Sequence, residues 1–375
     1  METTLTKDKL LFTPGPLTTS MTVKQAMLRD LGSRDIEFIN TVKQVRNALL
    51  VMGEVSQAQG YEAVLMQGSG TFGVESVISS ALPKVGGHLL VIINGAYGDR
   101  IAKMADVHGI TKTVLKYAED EYPSLEDIDS TLNQNPSITH AVVVHCETTS
   151  GIFNPIKAIG EVVKKHGKTY IVDAMSSFGG VPTNIADCQI DFLVSSSNKC
   201  IEGVPGFSFS IIQKDALNAC KGNARSLSLD LYAQWEGLEQ NGQFRFTPPT
   251  HTILAFWQAI QEHTAEGGVT GRSQRYQRNY NLLVAGMREL GFKEYLAPEK
   301  QGYIISSFLY PADANFDFKK FYELLNSMDY VIYPGKLSQV DCFRIGNIGH
   351  ITEVDIRGLL GAIKEVLLEM GVTLK

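Results

Sequence analysis

The sequence lacks the marks of a secreted, membrane-spanning or nucleic-acid-bound chain. Its five cysteines, Cys146, Cys188, Cys200, Cys220 and Cys342, are odd in number and widely spaced, with no C-x-x-C pair. That excludes a complete disulfide framework and a standard zinc site, so no metal is expected, and it fits a reducing cytosol. No apolar run approaches the ~20 residues of a membrane span. The longest, such as His88 to Ile93 and Ala141 to Val144, read as buried strands. Met1 to Lys9 is polar and mixed in charge, without the apolar core of a signal peptide, and a cytoplasmic location is the expectation. Basic residues are also short: 34 Lys+Arg against 40 Asp+Glu leave a formal net charge of -6. That is the wrong sign for a surface that neutralises nucleic-acid phosphates. There is no internal repeat and no low-complexity segment.

What remains is an ordinary globular composition, 44% hydrophobic and 20% charged, over 375 residues. At roughly 150 residues per domain the length suggests about two domains. From residue 60 to about 215, short β-branched runs alternate with amphipathic stretches, the pattern of βαβ units and a mainly parallel sheet. The strand candidates are Ala63 to Met66, His88 to Ile93, Thr113 to Lys116, Ala141 to His145, Thr169 to Asp173, Asp191 to Ser195 and Phe207 to Ile212. Asn154 as N-cap, Pro155 at the first helical position and Gly167 as terminator frame a crossover helix with Ile156, Ile159 and Val163 on its apolar face.

After about residue 250 the texture changes. A helical run, Ile253 to Glu266, is followed by a polar basic stretch, Gly271 to Asn279, another helix and the strand-like Tyr303 to Leu309, suggesting a smaller α+β domain. The last helix is the clearest: Thr352 and Asp355 form a capping-box pattern, and Ile356, Leu359, Leu360, Ile363, Val366, Leu367 and Met370 recur at helical spacing. Phe12-Thr13-Pro14-Gly15-Pro16 reads, taken alone, as a stiff connector.

Three features carry chemistry. Gly68-Ser69-Gly70-Thr71-Phe72-Gly73 lies between a strand and a helix and matches G-x-G-x-x-G. A dinucleotide site also needs an acidic residue at the end of the next strand, and that strand ends Ile93-Asn94-Gly95. A helix start with small residues still suits a phosphate, although a simple small-residue helix start fits the pattern as well. Asp173 ends a buried strand at the edge where open α/β sheets bind ligands, with a capping role as the alternative. Lys199 follows the next strand and emerges near the same edge, where most lysines are solvated surface charges. Together, an acid to hold a pyridinium N–H, a lysine to carry the cofactor covalently and a phosphate cradle are the parts of a pyridoxal phosphate site.

With these parts in view, the chain resembles the 2-aminoethylphosphonate–pyruvate transaminase family, within the alanine–glyoxylate and serine–pyruvate group of class V, fold-type I pyridoxal phosphate enzymes. The resemblance covers nearly the whole chain. It runs through Leu11 to Leu17, Gly32 to Asp35, Gln67 to Thr71, Asn94 to Gly98, His145 to Gly151, Asp173 to Gly180, Ser196 to Cys200 and Arg344 to Gly346. It implies an α/β fold with a mainly parallel seven-stranded sheet in a large cofactor-binding domain, residues 16–262. A smaller α+β domain covers residues 263–375, with 1–15 packing near it.

The resemblance also implies roles. Lys199 is the covalent anchor of pyridoxal 5'-phosphate, and Asp173 contacts its pyridine nitrogen. Ser69, Gly70 and Thr71 form the phosphate turn, Tyr97 stacks on the ring, and Thr148 meets the phenolic oxygen. Relatives often carry Gln before the lysine; Asn198 here is shorter. Thr247 matches a threonine that reaches the phosphate from the neighbouring subunit, which implies a homodimer with shared sites. Arg344 matches the arginine that grips the substrate carboxylate, and a planar guanidinium suits carboxylate and phosphonate alike. Arg34 is a weaker anion candidate with an interdomain ion pair as the alternative, and His145 and His350 read as structural. The implied reaction moves the amine of 2-aminoethylphosphonate to pyruvate. An alanine–glyoxylate or serine–pyruvate aminotransferase would share every cofactor residue, and a non-catalytic sensor on the same fold would have no need of both Lys199 and Asp173.

Overall fold

The computed structural model describes residues 8–335 and 340–373; the expectations for Met1 to Lys7 lie outside the described residues. Seven strands form the central sheet: β1 (Tyr61–Gln67), β2 (His88–Ile93), β3 (Thr111–Lys116), β4 (His140–Val144), β5 (Thr169–Asp173), β6 (Phe192–Ser196) and β7 (Phe207–Gln213). Their order is β1-β7-β6-β5-β4-β2-β3. The pairings from β3 across to β6 are parallel, while β7 runs antiparallel to both β6 and β1. Every residue of β4 and β6 is buried, as the continuous apolar runs of a doubly covered sheet require. Because β1 points the same way as β2 to β6, the segments after Gln67, Ile93, Asp173 and Ser196 leave the sheet at one edge.

Helices cover both faces. They include α1 (Ile36–Met52), α2 (Gly70–Ala81), α3 (Ala96–Val107), α4 (Leu125–Gln134), α5 (Ile156–Lys165) and α6 (Thr250–Ala265). Helix α2 packs on β6 and β7, α3 on β2, and α5 on β5. Asn154 does not cap α5. Pro155 is the N-cap, and the Asn154 amide is buried, donating to Asn94 Oδ1 at 3.0 Å and to the Val144 carbonyl at 2.8 Å. A short amide that can satisfy two buried acceptors is worth more there than at a helix end.

A second core gathers α7 (Gly268–Glu289), α8 (Phe318–Ser327), α9 (Glu353–Met370) and a small antiparallel sheet. That sheet is ordered β8-β10-β9, with β8 at Ile305–Leu309, β9 at Tyr333–Pro334 and β10 at Cys342–Gly346. The capping box of α9 forms as its sequence suggests. The basic stretch Gly271 to Asn279 is not a break: α7 runs straight through it. Arg272, only 1% exposed, and Arg275 turn inward onto Glu202 and Glu266, so polar residues here mark a buried ion network. The amino-terminal segment joins this core. Leu10–Leu11 pairs with Tyr330–Val331, and Phe12 is fully buried among the core aromatics.

Candidate functional site

At the shared edge of the sheet, a cavity of about 180 Å³ is lined by Ser69, Gly70, Thr71, Tyr97, Arg100, Asp173, Met175, Ser196, Asn198 and Lys199, with an apolar wall from α2 and α3. Strand β1 delivers one side of it. The chain turns after Gln67 and Ser69 becomes the N-cap of α2 in extended geometry, without a side-chain capping bond. The first-turn N–H groups are therefore left for a ligand, and the helix dipole favours an anion. Gly70 packs closely on Met175: a Cβ there would lie 2.4 Å from its sulfur and would make that side chain shift.

Asp173 ends β5 and is 6% exposed. Oδ1 accepts from the Met175 N–H at 2.9 Å, and Oδ2 receives no hydrogen bond among the described residues. Burial pushes its pKa up to about 6, against the pull of the Met175 N–H, Lys199 and Arg100. Lys199 follows β6 and is half-buried, its Nζ donating to the Pro14 carbonyl at 2.5 Å. Burial lowers its pKa, which favours the neutral amine that a covalent anchor needs. Asn198 lines the cavity while its Oδ1 accepts from the Ser196 hydroxyl at 3.1 Å.

Tyr97 stands in the first turn of α3, and Arg100 one turn later places its guanidinium carbon 4.8 Å from the Tyr97 ring centre. Arg100 Nη1 also donates to Thr71 Oγ1 at 3.3 Å, bridging the two walls. Beneath them lies Glu147, fully buried, which accepts from the Tyr97 N–H at 3.3 Å and from the Thr149 hydroxyl at 2.5 Å. Burial pushes the Glu147 pKa up to about 7.

Arg344, on β10, is 3% exposed. Nη1 donates to the Thr148 carbonyl at 2.7 Å and Nη2 to the Pro334 carbonyl at 2.9 Å, with the guanidinium stacked 4.8 Å from the Tyr333 ring centre. No carboxylate among the described residues pairs with it. Burial lowers its pKa, opposed first by Tyr97. A buried cation whose hydrogen bonds go to carbonyls and not to a carboxylate lacks the counter-charge that an anionic ligand could supply.

The structure thus brings Ser69, Gly70, Thr71, Tyr97, Asp173 and Lys199 together. Thr148 and Arg344 meet each other but do not line this cavity, and the Thr148 hydroxyl makes no hydrogen bond to the described residues. Thr247 is exposed and outside the cavity of its own chain, its carbonyl accepting from the Gln67 amide. Arg34 is exposed in the loop before α1. His145 is buried, its pKa pushed down to about 4, with Nδ1 unpartnered. His350 is exposed and engaged by its backbone to Thr18. Sequence reading passed over Arg100, Glu147, Met175 and the Pro14 carbonyl. Only Arg100 left a usable signal, its i, i+3 spacing from Tyr97 on one helix face.

A ligand with one phosphate, a flat ring to lie against Tyr97, a ring nitrogen for the free Oδ2 of buried Asp173 and an aldehyde for Lys199 fits this donor set, and pyridoxal 5'-phosphate is such a ligand. The class the fold and site define is therefore an α/β pyridoxal phosphate enzyme. Comparison with known proteins agrees. Residues 19–327 match the aminotransferase class-V family. The chain is 52% identical over 363 residues, 96% of its own length and 98% of the relative's, to a 2-aminoethylphosphonate–pyruvate transaminase of Salmonella gallinarum. It is 52% identical over 359 residues to one of Vibrio vulnificus, covering 96% and 97% of the two chains. A crystal structure of pyridoxamine–pyruvate aminotransferase from Mesorhizobium loti superposes with a TM-score of 0.89 at 24% identity, over 98% of this chain and 94% of that one. The chain belongs to the class-V aminotransferase family, and it is a pyridoxal-phosphate-dependent transaminase.

Proposed function

We propose that this chain transfers the amino group of 2-aminoethylphosphonate to pyruvate, giving phosphonoacetaldehyde and L-alanine, as a step in phosphonate breakdown. The observation that carries the reading is near-full-length identity of 52% to transaminases named for those two substrates. Arg344, a buried guanidinium without an acidic partner, supports it, since one site must take a carboxylate and a phosphonate in turn.

When bound, pyridoxal phosphate supplies an electron sink. The rest falls to the chain. The first turn of α2 and the Thr71 hydroxyl hold the phosphate, and the Tyr97 ring packs against the ring face. Asp173 would hold the proton on the ring nitrogen, and the Thr148 hydroxyl, outside the lining of the cavity and free of hydrogen bonds to the described residues, would turn to the phenolic oxygen. Lys199 Nζ would be the base that takes the proton from the substrate carbon bearing nitrogen and holds it for return. Arg344 orients the acid group of each substrate through paired N–H bonds.

Thr247, exposed and not among the residues lining its own cavity, acts in this reading on the phosphate of a second copy, in a homodimer with shared sites. The two buried cores support a division into a large cofactor-binding domain, 16–262, and a smaller one, 263–375. No helix among the described residues is long and apolar enough to cross a membrane, and the cytoplasmic assignment belongs to this reading.

A donor screen tests it: 2-aminoethylphosphonate, alanine, serine and taurine, each against pyruvate and glyoxylate. The reading expects 2-aminoethylphosphonate with pyruvate to dominate; preference for serine or for alanine with glyoxylate would move the chain to the neighbouring activities.

A further inference from the structure

The phosphate end of the cavity has an unbalanced charge. A phosphate monoester carries close to two negative charges at neutral pH. The first turn of α2 offers the equivalent of roughly half a positive charge. Asn198, Ser196 and Thr71 are neutral, and among the described residues lining the cavity the cations are Lys199 and Arg100 alone. On the pyridoxal phosphate reading, Lys199 is committed to covalent attachment and its burial already favours the neutral amine. That leaves one full cation.

Arg100 is placed to use it. It lines the cavity from α3, with Nη1 3.3 Å from Thr71 Oγ1, the hydroxyl at the end of the phosphate turn. Its guanidinium lies over the Tyr97 ring, 4.8 Å from the centre, and so spans from the ring-stacking surface to the phosphate turn. No carboxylate among the described residues pairs with it; its polar side-chain contact is this neutral hydroxyl. The Asn198 side-chain carbonyl oxygen is taken up by the Ser196 hydroxyl.

We propose that Arg100 is a cofactor-phosphate ligand of this enzyme, a charge-assisted donor from α3 that joins the N–H groups of the first turn of α2 at the phosphate. The inference rests on the pyridoxal phosphate reading of the cavity and adds a residue to it. Arg100 is exposed on the surface of α3, so substitution removes a cation without opening a core.

The test compares two ligands that differ only in the phosphate. Cofactor-stripped wild type and Arg100→Met are titrated with pyridoxal 5'-phosphate and with pyridoxal in equilibrium dialysis, with the apo-protein Tm recorded for each. Loss of a charge-assisted contact weakens pyridoxal phosphate binding by on the order of 10–100-fold while leaving pyridoxal binding unchanged. Arg100→Lys, which keeps the charge but loses the planar fork, falls between. Unchanged pyridoxal phosphate affinity in Arg100→Met, or equal losses for both ligands, would overturn the proposal, the second by showing that Arg100 acts through Tyr97 or the fold. If wild type itself binds pyridoxal phosphate no better than pyridoxal, the phosphate reading of the cavity fails before Arg100 is at issue.

Discussion

The amine of Lys199 donates a 2.5 Å hydrogen bond to the carbonyl of Pro14, a residue 185 positions earlier in the chain. The segment holding Pro14 is anchored to the smaller core, because Phe12 donates to Val331 and Gly346 donates to Phe12. Residues 12 to 14 therefore link the lysine turn on the large sheet to β10, the strand that carries Arg344.

Gly15→Ala probes that link. Gly15 has φ +120°, and a Cβ there would lie 2.8 Å from Lys199 Nζ and 3.1 Å from the Asn198 carbonyl. Strain of about 1–3 kcal/mol is expected, together with displacement of the lysine. A lower Tm and a fall in kcat are the expected outcomes, measured by thermal melt and steady-state kinetics. Unchanged values for both would show that residues 14 to 16 are only a connector.

Lys199→Ala is expected to fold and to lose turnover by several orders of magnitude, since in the proposed mechanism the lysine is anchor and proton carrier together. Borohydride reduction of the wild type followed by peptide mapping locates the anchor directly; cofactor found on another lysine would contradict the assignment.

Asp173 and Glu147 set a pH dependence for the cofactor-free chain. Their folded pKa values, about 6 and about 7, lie above the ordinary 3.8 and 4.5 because burial penalises the charged forms. The folded state therefore binds more protons than the unfolded one between these limits, and stability is lost as pH rises from about 4 to about 7. Each group costs on the order of 3 kcal/mol at neutral pH. Asp173→Asn and Glu147→Gln apo-proteins should melt above wild type at pH 7.5 and converge with it near pH 4. Loaded Asp173→Asn should lose most turnover, because an amide cannot hold the ring-nitrogen proton.

Glu202 lies behind the lysine turn, 5% exposed, and accepts from Arg275 at 2.7 Å and from the Tyr276 hydroxyl at 2.6 Å, with Arg272 3.3 Å away. Glu202→Gln leaves the buried Arg272 and half-buried Arg275 to share Glu266, a loss of up to about 3–5 kcal/mol by analogy with broken buried pairs. A Tm drop of several degrees, larger than that of Glu353→Gln at the surface pair with Arg278, is the expected reading.

The strands were legible because a parallel sheet covered on both faces writes itself as uninterrupted β-branched runs, and all seven candidates overlap observed strands. The antiparallel entry of β7 was not legible, since direction leaves no mark on periodicity. Polar residues misled where partners compensate burial: Gly271 to Asn279 reads as a polar basic stretch between helices but is the ion-paired half of α7. Asp173 and Lys199 could be found from their places at strand ends. Pro14 and Glu147 could not, because a backbone carbonyl has no sequence signature and Glu147 matters through the Tyr97 and Thr149 groups it holds.

Arg344→Lys keeps the charge but not the planar fork. If one arginine serves both acid groups, the half-reactions with 2-aminoethylphosphonate and with pyruvate should each fall on the order of 10-fold or more in kcat/KM, from ~1.4 kcal/mol or more of lost binding. A spared phosphonate half-reaction would assign that anion to another group, with Arg34 the first to examine.

The central claim is tested most directly by running the two halves of the wild-type reaction apart. The cofactor-loaded enzyme is mixed with 2-aminoethylphosphonate alone, then freed of donor and given pyruvate. The account predicts one equivalent of phosphonoacetaldehyde per site in the first step and one of L-alanine in the second. No aldehyde from 2-aminoethylphosphonate, in an enzyme that does turn over alanine with glyoxylate, would contradict it.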